Sequence, residues 1–331
     1  MMFLKPALKI GSKFQNPIET HIGGSGMMLK ILPLYLTNKE ERFPARPLGP
    51  FHTEPATYKH PPTSGLRITW FGHSSMLVEI EGARVLIDPV WDHRAAPVSW
   101  AGPKRFFPPT IALEQLPPLD VVLISHDHYD HLGAATIRQL ASRQTKWICP
   151  LNVASELIKF GVAGSTITEL DWTQSSTINN LKITALPTRH FSGRSFTNRF
   201  ETLWSSYVLR GETHNIYYGA DSGLWPGFTE IGEQYGPFDL TMLEIGAYNE
   251  LWKSIHMGPD GAAQAFSELG ASGLLMPIHW GLFDLALHAW RQPIQRMIEL
   301  SNGADYKLWS PEPGAPTEVI LGQSLQSDWW R

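Results

Sequence analysis

Cysteine is all but missing from this chain: Cys149 is the only one in 331 residues. No internal disulfide can form, and a structural zinc of the finger type, which needs two or four thiolates, is excluded. Basic excess is missing as well. Lys and Arg number 27 against 31 Asp and Glu, a net charge of −4, so there is no electrostatic footprint for nucleic acid. Long apolar runs are also missing. The longest near the N-terminus, Met27 to Leu36, is broken by Lys30 and Pro33 and falls short of the roughly 20 residues that cross a bilayer. Met1 to Lys13 holds three lysines and no apolar stretch, so it does not read as a signal peptide, and the cytoplasm is the expected location. The chain has no repeat and no low-complexity tract. It also lacks a Ser-His-Asp pattern with a glycine-flanked elbow, which argues against covalent serine catalysis.

What is present is enough apolar residue, 43%, for a sizeable core. Residues 1–60 are rich in Pro, Gly and charge and read as an irregular arm lying over a main domain of residues 61–331. In that domain Leu66–Phe71, Met76–Ile80 and Arg84–Asp88 have the look of consecutive antiparallel strands. Val121–Ser125, Lys146–Cys149, Thr166–Leu170 and Leu181–Leu186 follow as strands, with helices at Ala134–Arg143 and Ala154–Phe160. The second half repeats the style, with strands at Thr202–Leu209, Asn215–Tyr218, Leu240–Leu243 and Leu274–Pro277. Its helices are Phe228–Tyr235, Pro259–Leu269 and Pro293–Leu300, the last two opening on a proline. Meanders followed by mixed strands and helices suggest two sheets with helices on their outer faces. Cys149, behind Trp147-Ile148, reads as a buried hydrophobe.

The densest chemistry is His126-Asp127-His128-Tyr129-Asp130-His131-Leu132, directly after the apolar Val121 to Ile124. Imidazoles and carboxylates crowded behind a buried strand are costly unless a cation compensates them, and this donor set suits a divalent transition metal, zinc first. Residues two apart in an extended segment point the same way, so His126 and His128 face one position. Asp130 and His131, at the start of the next helix, turn toward a second. Two adjacent ions accommodate these four groups more easily than one. Three more residues have the right setting, each after an apolar strand and each with a glycine within four residues downstream: His190, Asp221 and His279. His73, after Phe71-Gly72, reads as a structural histidine hydrogen-bonded near the site.

The order His126-x-His128-x-Asp130-His131, then His190, Asp221 and His279, resembles the ligand sequence of the metallo-β-lactamase superfamily. Within it, Ile68 to Ser75, Asp88-Pro89-Val90-Trp91, Gly102 to Phe106, Arg189 to Arg194, Gly219 to Gly223, Ile245 to Tyr248 and Ile278 to Gly281 resemble the N-acylphosphatidylethanolamine phospholipase D branch. The resemblance extends to Asn16-Pro17 of the arm. It implies an α/β fold, an αββα sandwich with the metals at one edge between the sheets. It also implies that His126, His128 and His190 hold one ion, that Asp130, His131 and His279 hold the other, and that Asp221 bridges. Asp88 matches an acid that orients a ligand histidine through its other ring nitrogen. His256 matches a histidine near the phospholipase site and is expected to contact substrate or leaving group, so Asp130, Asp221 and His256 are expected at the reacting centre.

Two divalent ions, zinc with manganese or iron also open, lower the pKa of a water between them. Seven ligands with two carboxylates leave such a site at roughly +2. That charge suits a phosphodiester, so the leading expectation is a phospholipase D-like phosphodiesterase acting on a small molecule or lipid. The alternatives are a lactonase on the same metals and, more remotely, a non-catalytic metal-binding protein. Trp91, Trp100, Phe106-Phe107 and Trp225 either line a lipid groove or pack in the core. The arm, with Met27-Met28-Leu29 and Ile31 to Leu34 at its centre, contains no ligand. It is expected to shape substrate access rather than support the metals, and its apolar patch could cover a groove, pair with a second subunit in a homodimer or touch a membrane surface peripherally.

Overall fold

Strands that read as unbroken apolar runs belong to sheets covered on both faces. The computed structural model, which describes residues 2–22, 27–195, 197–304 and 306–331, shows what covers each face. After an N-terminal stretch containing the helix Met27–Thr37 (α1), Leu66–Trp70 (β1), Met76–Ile80 (β2) and Ala83–Ile87 (β3) form an antiparallel meander. Val121–Leu123 (β4), Lys146–Pro150 (β5) and Ile167–Leu170 (β6) continue the sheet, each parallel to the strand before it. Alternate residues divide between two cores. Val85, Ile87, Leu123 and Ile148 join the core between the sheets, while Leu86, Val122, Trp147 and Cys149 pack with Ala134–Leu140 (α2) and Ala154–Lys159 (α3).

The second sheet has the same plan. Ser175–Ile178 (β7), Leu181–Leu186 (β8), Ser206–Arg210 (β9) and Asn215–Tyr218 (β10) are antiparallel. Leu240–Glu244 (β11), Leu274–Ile278 (β12) and Lys307–Ser310 (β13) then run parallel. Helices Gly227–Tyr235 (α4), Gly258–Glu268 (α5) and Gln292–Ser301 (α6) contribute Phe228, Ile231, Phe266, Ile294 and Met297 to the core. The result is an α/β sandwich of four layers. The parallel register brings the carboxyl ends of neighbouring strands level, Ile87 beside Leu123 and Glu244 beside Ile278. The loops leaving these strand ends therefore meet at one edge.

Several elements differ from the sequence reading for identifiable reasons. Residues 203–205 are not part of β9, because their backbone bonds across to the first sheet: Leu203 N–H donates to Leu151 O (2.9 Å) and Ser205 N–H to Ser125 O (3.0 Å). β7 was not expected because its Ser-Ser-Thr-Ile is a polar, half-exposed edge strand. β13 and the two-residue strands Thr317–Glu318 and Leu325–Gln326 lace the C-terminal segment into both sheets. The arm is not irregular throughout. It holds α1 and a small hairpin, Lys9–Ile10 with Lys13–Phe14. Pro33 inside α1 argues against a helix in the sequence because proline lacks the N–H for the bond to the preceding turn. Among the loop aromatics, Phe107 and Trp225 are core residues, each 2% exposed, whereas Trp100 is 78% exposed.

Candidate metal centre

β4 runs on into the fully buried Ile124 and Ser125, and the chain then turns tightly, with His131 and Leu132 N–H both donating to His128 O. This turn carries the histidines of the motif around one point. His126 Nε2 lies 2.9 Å from His128 Nδ1, and His190 Nε2 lies 3.3 Å from the same atom. His190 reaches them from the segment after β8. Three imidazole nitrogens gathered this closely call for a shared partner. On the other side, Asp130 Oδ2 lies 3.3 Å from His279 Nε2 and 3.7 Å from His131 Nε2. His279 arrives directly from the end of β12.

Asp221, directly after the left-handed Ala220 (φ 49°) beyond the end of β10, stands between these groups. Its carboxylate lies 3.1 Å from His279 Nε2, 3.2 Å from His131 Nε2, 3.6 Å from His190 Nε2 and 3.8 Å from His126 Nε2. The donor atoms of His126, His128, His190 and Asp221 all lie within 4.8 Å of one another, as do those of His73, Asp130, His131 and His279. The structure thus brings together all seven residues singled out as ligands. His131 Nε2, His279 Nε2 and Asp221 Oδ1 are buried with no hydrogen-bond partner. Groups left in this way call for an explanation, and a cation in their midst supplies it. Burial holds His126 and His190 well below the usual histidine range, keeping the neutral form that binds metal. Burial alone would raise the Asp221 pKa, but the His131 and His279 imidazoles more than offset it and keep the carboxyl well below its ordinary value. The donor set fits a pair of divalent ions.

Behind the ligands is a layer of fixed partners. Asp88, fully buried, accepts from His131 Nδ1 (2.7 Å), Ser125 N (2.7 Å), Ser125 Oγ (2.5 Å) and Tyr218 OH (2.5 Å). It sits just beyond the end of β3 and leaves His131 Nε2 for the centre. His190 Nδ1–H donates to Ile255 O (3.0 Å), which likewise frees Nε2. His73 Nε2 is 2.9 Å from Asp130 Oδ2 and its ring centroid is 3.9 Å from that of His279, so it lies against the site. Asp127 points away from the centre. It accepts from Gly193 N (2.7 Å) and Thr202 Oγ1 (2.9 Å), tying the loop after His190 to the motif.

Two residues support the site in roles that the sequence does not assign them. The arm reaches the site, contrary to the expectation that it shapes substrate access rather than supporting the metals: Asn16 Nδ2 donates to His190 O (2.7 Å) and His190 N–H donates to Asn16 Oδ1 (3.0 Å). A contact 174 residues apart leaves no local signal. Glu244 is fully buried at the last position of β11, and its Oε2 is 2.6 Å from His256 Nδ1. The signal was there, since Asp88 and Asp221 are also carboxylates at strand ends. His256 lies close to the ligands, its ring centroid 5.0 Å from that of His190 and 5.2 Å from that of His279.

Replacing Asp88 by Asn removes the charged acceptor behind His131, and replacing Asn16 by Ala removes the clamp behind His190. Each change is expected to weaken metal retention about 10- to 100-fold, the usual cost of losing a group that orients a ligand. The measurement is the chelator concentration that strips half the metal. Unchanged stripping curves in both variants would show that these residues serve the fold alone.

Comparison with known proteins agrees with this geometry. Residues 83–280 match the family model described as the beta-lactamase superfamily domain. An uncharacterized protein of Mycobacterium tuberculosis is 42% identical over 290 residues, 87% of this chain and 77% of the relative. The N-acyl-phosphatidylethanolamine-hydrolyzing phospholipase D 1 of Caenorhabditis elegans is 35% identical over 323 residues, 92% of this chain and 90% of the relative. Igni18, a metallo hydrolase of Ignicoccus hospitalis, has a similar fold, with a TM-score of 0.59 at 22% identity over 76% of this chain and 97% of its own. The chain belongs to the metallo-β-lactamase superfamily, in its N-acylphosphatidylethanolamine phospholipase D-like branch, and is a metal-dependent hydrolase.

Proposed function

We propose that this hydrolase cleaves phosphodiesters in the manner of a phospholipase D, with N-acylated glycerophospholipids as its substrate class. The observation that carries the reading is the gathering of seven donor residues, Asp221 central among them, in a chain so similar to the nematode phospholipase. His126, His128 and His190 would hold one ion and Asp130, His131 and His279 the second, with the Asp221 carboxylate standing between the two groups. When bound, the two ions supply a hydroxide at neutral pH and draw charge from a phosphoryl oxygen. The protein's own contribution is orientation and charge. Two ions on two carboxylates leave roughly +2, which favours an anionic phosphodiester over a neutral ester. Asp130 is 15% exposed where Asp221 is 2% exposed, so the substrate meets the centre from the Asp130 side. His256 stands beside His190 and His279, placed to meet the leaving half of the substrate.

Hydrolysis in ¹⁸O-enriched water separates phosphorus attack from carbonyl attack. Label is expected in the phosphate-bearing product. Label found only in a carboxylate, or turnover confined to lactones, transfers the activity to the lactonase class.

A lipid substrate is favoured further by α1. No helix among the described residues is long and apolar enough to cross a membrane. Yet α1 leaves Leu32 55% and Leu36 79% exposed, one turn apart on the same face, with Leu34 44% exposed on another, exposed apolar surface that suits an interfacial contact. Its C-terminal end is tied to the loop after His279. Asn38 Nδ2 donates to Leu287 O (2.6 Å), Trp290 N–H donates to Glu41 O (2.9 Å), and Arg42 lies 3.4 Å from Asp284. Contact with a lipid surface would thus place the site entrance near its substrate. Of the patch expected from the sequence, Ile31 is half-buried, and the side chains of Met27, Met28 and Leu29 lie outside the described residues. The variant to make is therefore Leu32, Leu34 and Leu36 to Ser. Each buried leucine is worth about 1.5–3 kcal/mol, so activity on vesicle-borne phospholipid is expected to fall at least about tenfold. Melting temperature, metal content and turnover of a soluble short-chain diester are expected to hold. An equal fall on both substrates, or loss of metal, would remove α1 from lipid recognition.

A further inference from the structure

Glu244 is not among the seven residues read as ligands, although its carboxylate lies within 4.8 Å of donor atoms of Asp221, His256 and His279, and it is as buried as any residue in the protein. A fully buried carboxylate is costly unless each oxygen finds partners. Here Oε1 accepts from Met257 N (2.9 Å) and Ser222 N (3.4 Å), while Oε2 is 2.6 Å from His256 Nδ1. Oε2 is also 3.7 Å from Nδ1 of His279. The partners are the neighbours of functional residues: Ser222 follows Asp221, and Met257 follows His256. One side chain therefore fixes the loop that carries Asp221 against the loop that carries His256. Tight glycine packing holds the same seam. A Cβ on Gly223 would lie 2.0 Å from Ser254 O, and one on Gly246 would lie 2.0 Å from His279 O, so the backbones at these points approach as only glycine allows.

With Nδ1 engaged by Glu244, the ring of His256 is held in one orientation and Nε2 is its remaining nitrogen. A donor atom of His256 lies within 4.8 Å of donor atoms of both Asp221 and His279. The side chain of His256 is 13% exposed where that of Glu244 is 0% exposed, so the imidazole is the member of the pair that substrate can touch.

We infer that Glu244 is the positioning residue that sets His256 against the leaving half of the substrate, so that the two act as one unit beside the metals. This rests on the phosphodiesterase reading for its substrate but not for its geometry. The carboxylate reaches the reaction only through the imidazole, much as a buried acid holds the histidine of a catalytic triad. Glu244 also lies behind the ligand His279, but at 3.7 Å, and its close contact of 2.6 Å is to His256, whereas the close contact of Asp88, 2.7 Å, is to the ligand His131.

The test uses metal-loaded Glu244→Gln, Glu244→Ala, His256→Ala and the Glu244→Ala/His256→Ala double variant. Metal content is expected to stay at the wild-type level in all four, with kcat on a phosphodiester falling on the order of 100-fold and KM nearly unchanged. The double variant is expected to be no slower than His256→Ala alone, because the two residues act together. An independent readout is the ¹H–¹⁵N spectrum of the His256 ring, with or without metal. The Nδ1 signal of a fixed, hydrogen-bonded imidazole is expected in the wild type and lost in Glu244→Ala. Wild-type kcat in Glu244→Gln, additive losses in the double variant, metal loss in the Glu244 variants or an unchanged His256 spectrum would each overturn the inference. If Glu244→Ala fails to fold, the near-isosteric Glu244→Gln still decides. A wild type inactive on every phosphodiester would overturn the phosphodiesterase reading instead and leave the spectrum to test the pair.

Discussion

Asp221 places a buried carboxylate within 3.8 Å of the Nε2 atoms of four histidines, and those histidines come from three separate segments of the chain. Imidazoles do not gather in that way for apolar reasons, since a core gains nothing from clustering unpaired ring nitrogens. The carboxylate draws His131 and His279 to itself, and burial keeps His126 and His190 neutral. The divalent metal that the family implies completes the balance. The sandwich, the level strand ends and the loop packing all serve to hold this one convergence.

The delivery is repetitive even though the sequence is not. Each sheet runs as a meander and then as parallel strands, and the functional groups lie beyond the carboxyl ends of β3, β4, β8, β10, β11 and β12. Ligands outside the carboxyl ends of parallel strands are a general consequence of such layouts. At several of these ends the backbone turns through the left-handed region at a residue with a side chain: Asp88 (φ 40°), Ala220 (φ 49°), Ala247 (φ 54°) and His279 (φ 61°). Each such turn costs about 1–3 kcal/mol and persists only where the surroundings force it. Here the forcing agents are the hydrogen bonds to Asp88 and Glu244 and the close approach of the backbones.

The HxHxDH run was legible because chemistry and apolar strand stand side by side in a short stretch, and His190, Asp221 and His279 were legible because each ends an apolar strand. Asp88 was legible only through its family setting, since an aspartate before proline is also an ordinary turn. Glu244 carries a weaker signal because the apolar pattern of its strand ends at Leu243. One residue more would have placed a carboxylate at a third strand end. Asn16 was marked only as part of the family resemblance and its role was not legible, because its partner is the backbone of His190 and nothing local marks such a contact. Trp225 and Phe107 looked like loop aromatics and proved to be core, since loops that cross a packed edge bury what they carry. The helix α1 was hidden by Pro33 and by a short apolar run that has no polar face to set its period.

The arm therefore has two relations to the centre. Asn16, Glu19 and Thr20 fasten the segment around His190, with Arg189 bonding Thr20 Oγ1 (3.0 Å) and Glu19 O (3.1 Å), while Asn38 to Arg42 fasten the loop beyond His279. Both flanks of the ligand set are held by the N-terminal arm, which thereby braces the loops that carry His190 and His279. The central claim is that two ions share Asp221. Elemental analysis of protein purified without chelator tests it most directly, with Asp221→Ala analysed beside it. The account predicts close to two equivalents of transition metal per chain and the loss of both in the variant. Less than half an equivalent in the wild type with no uptake on reconstitution, or a variant that keeps both ions, would contradict it.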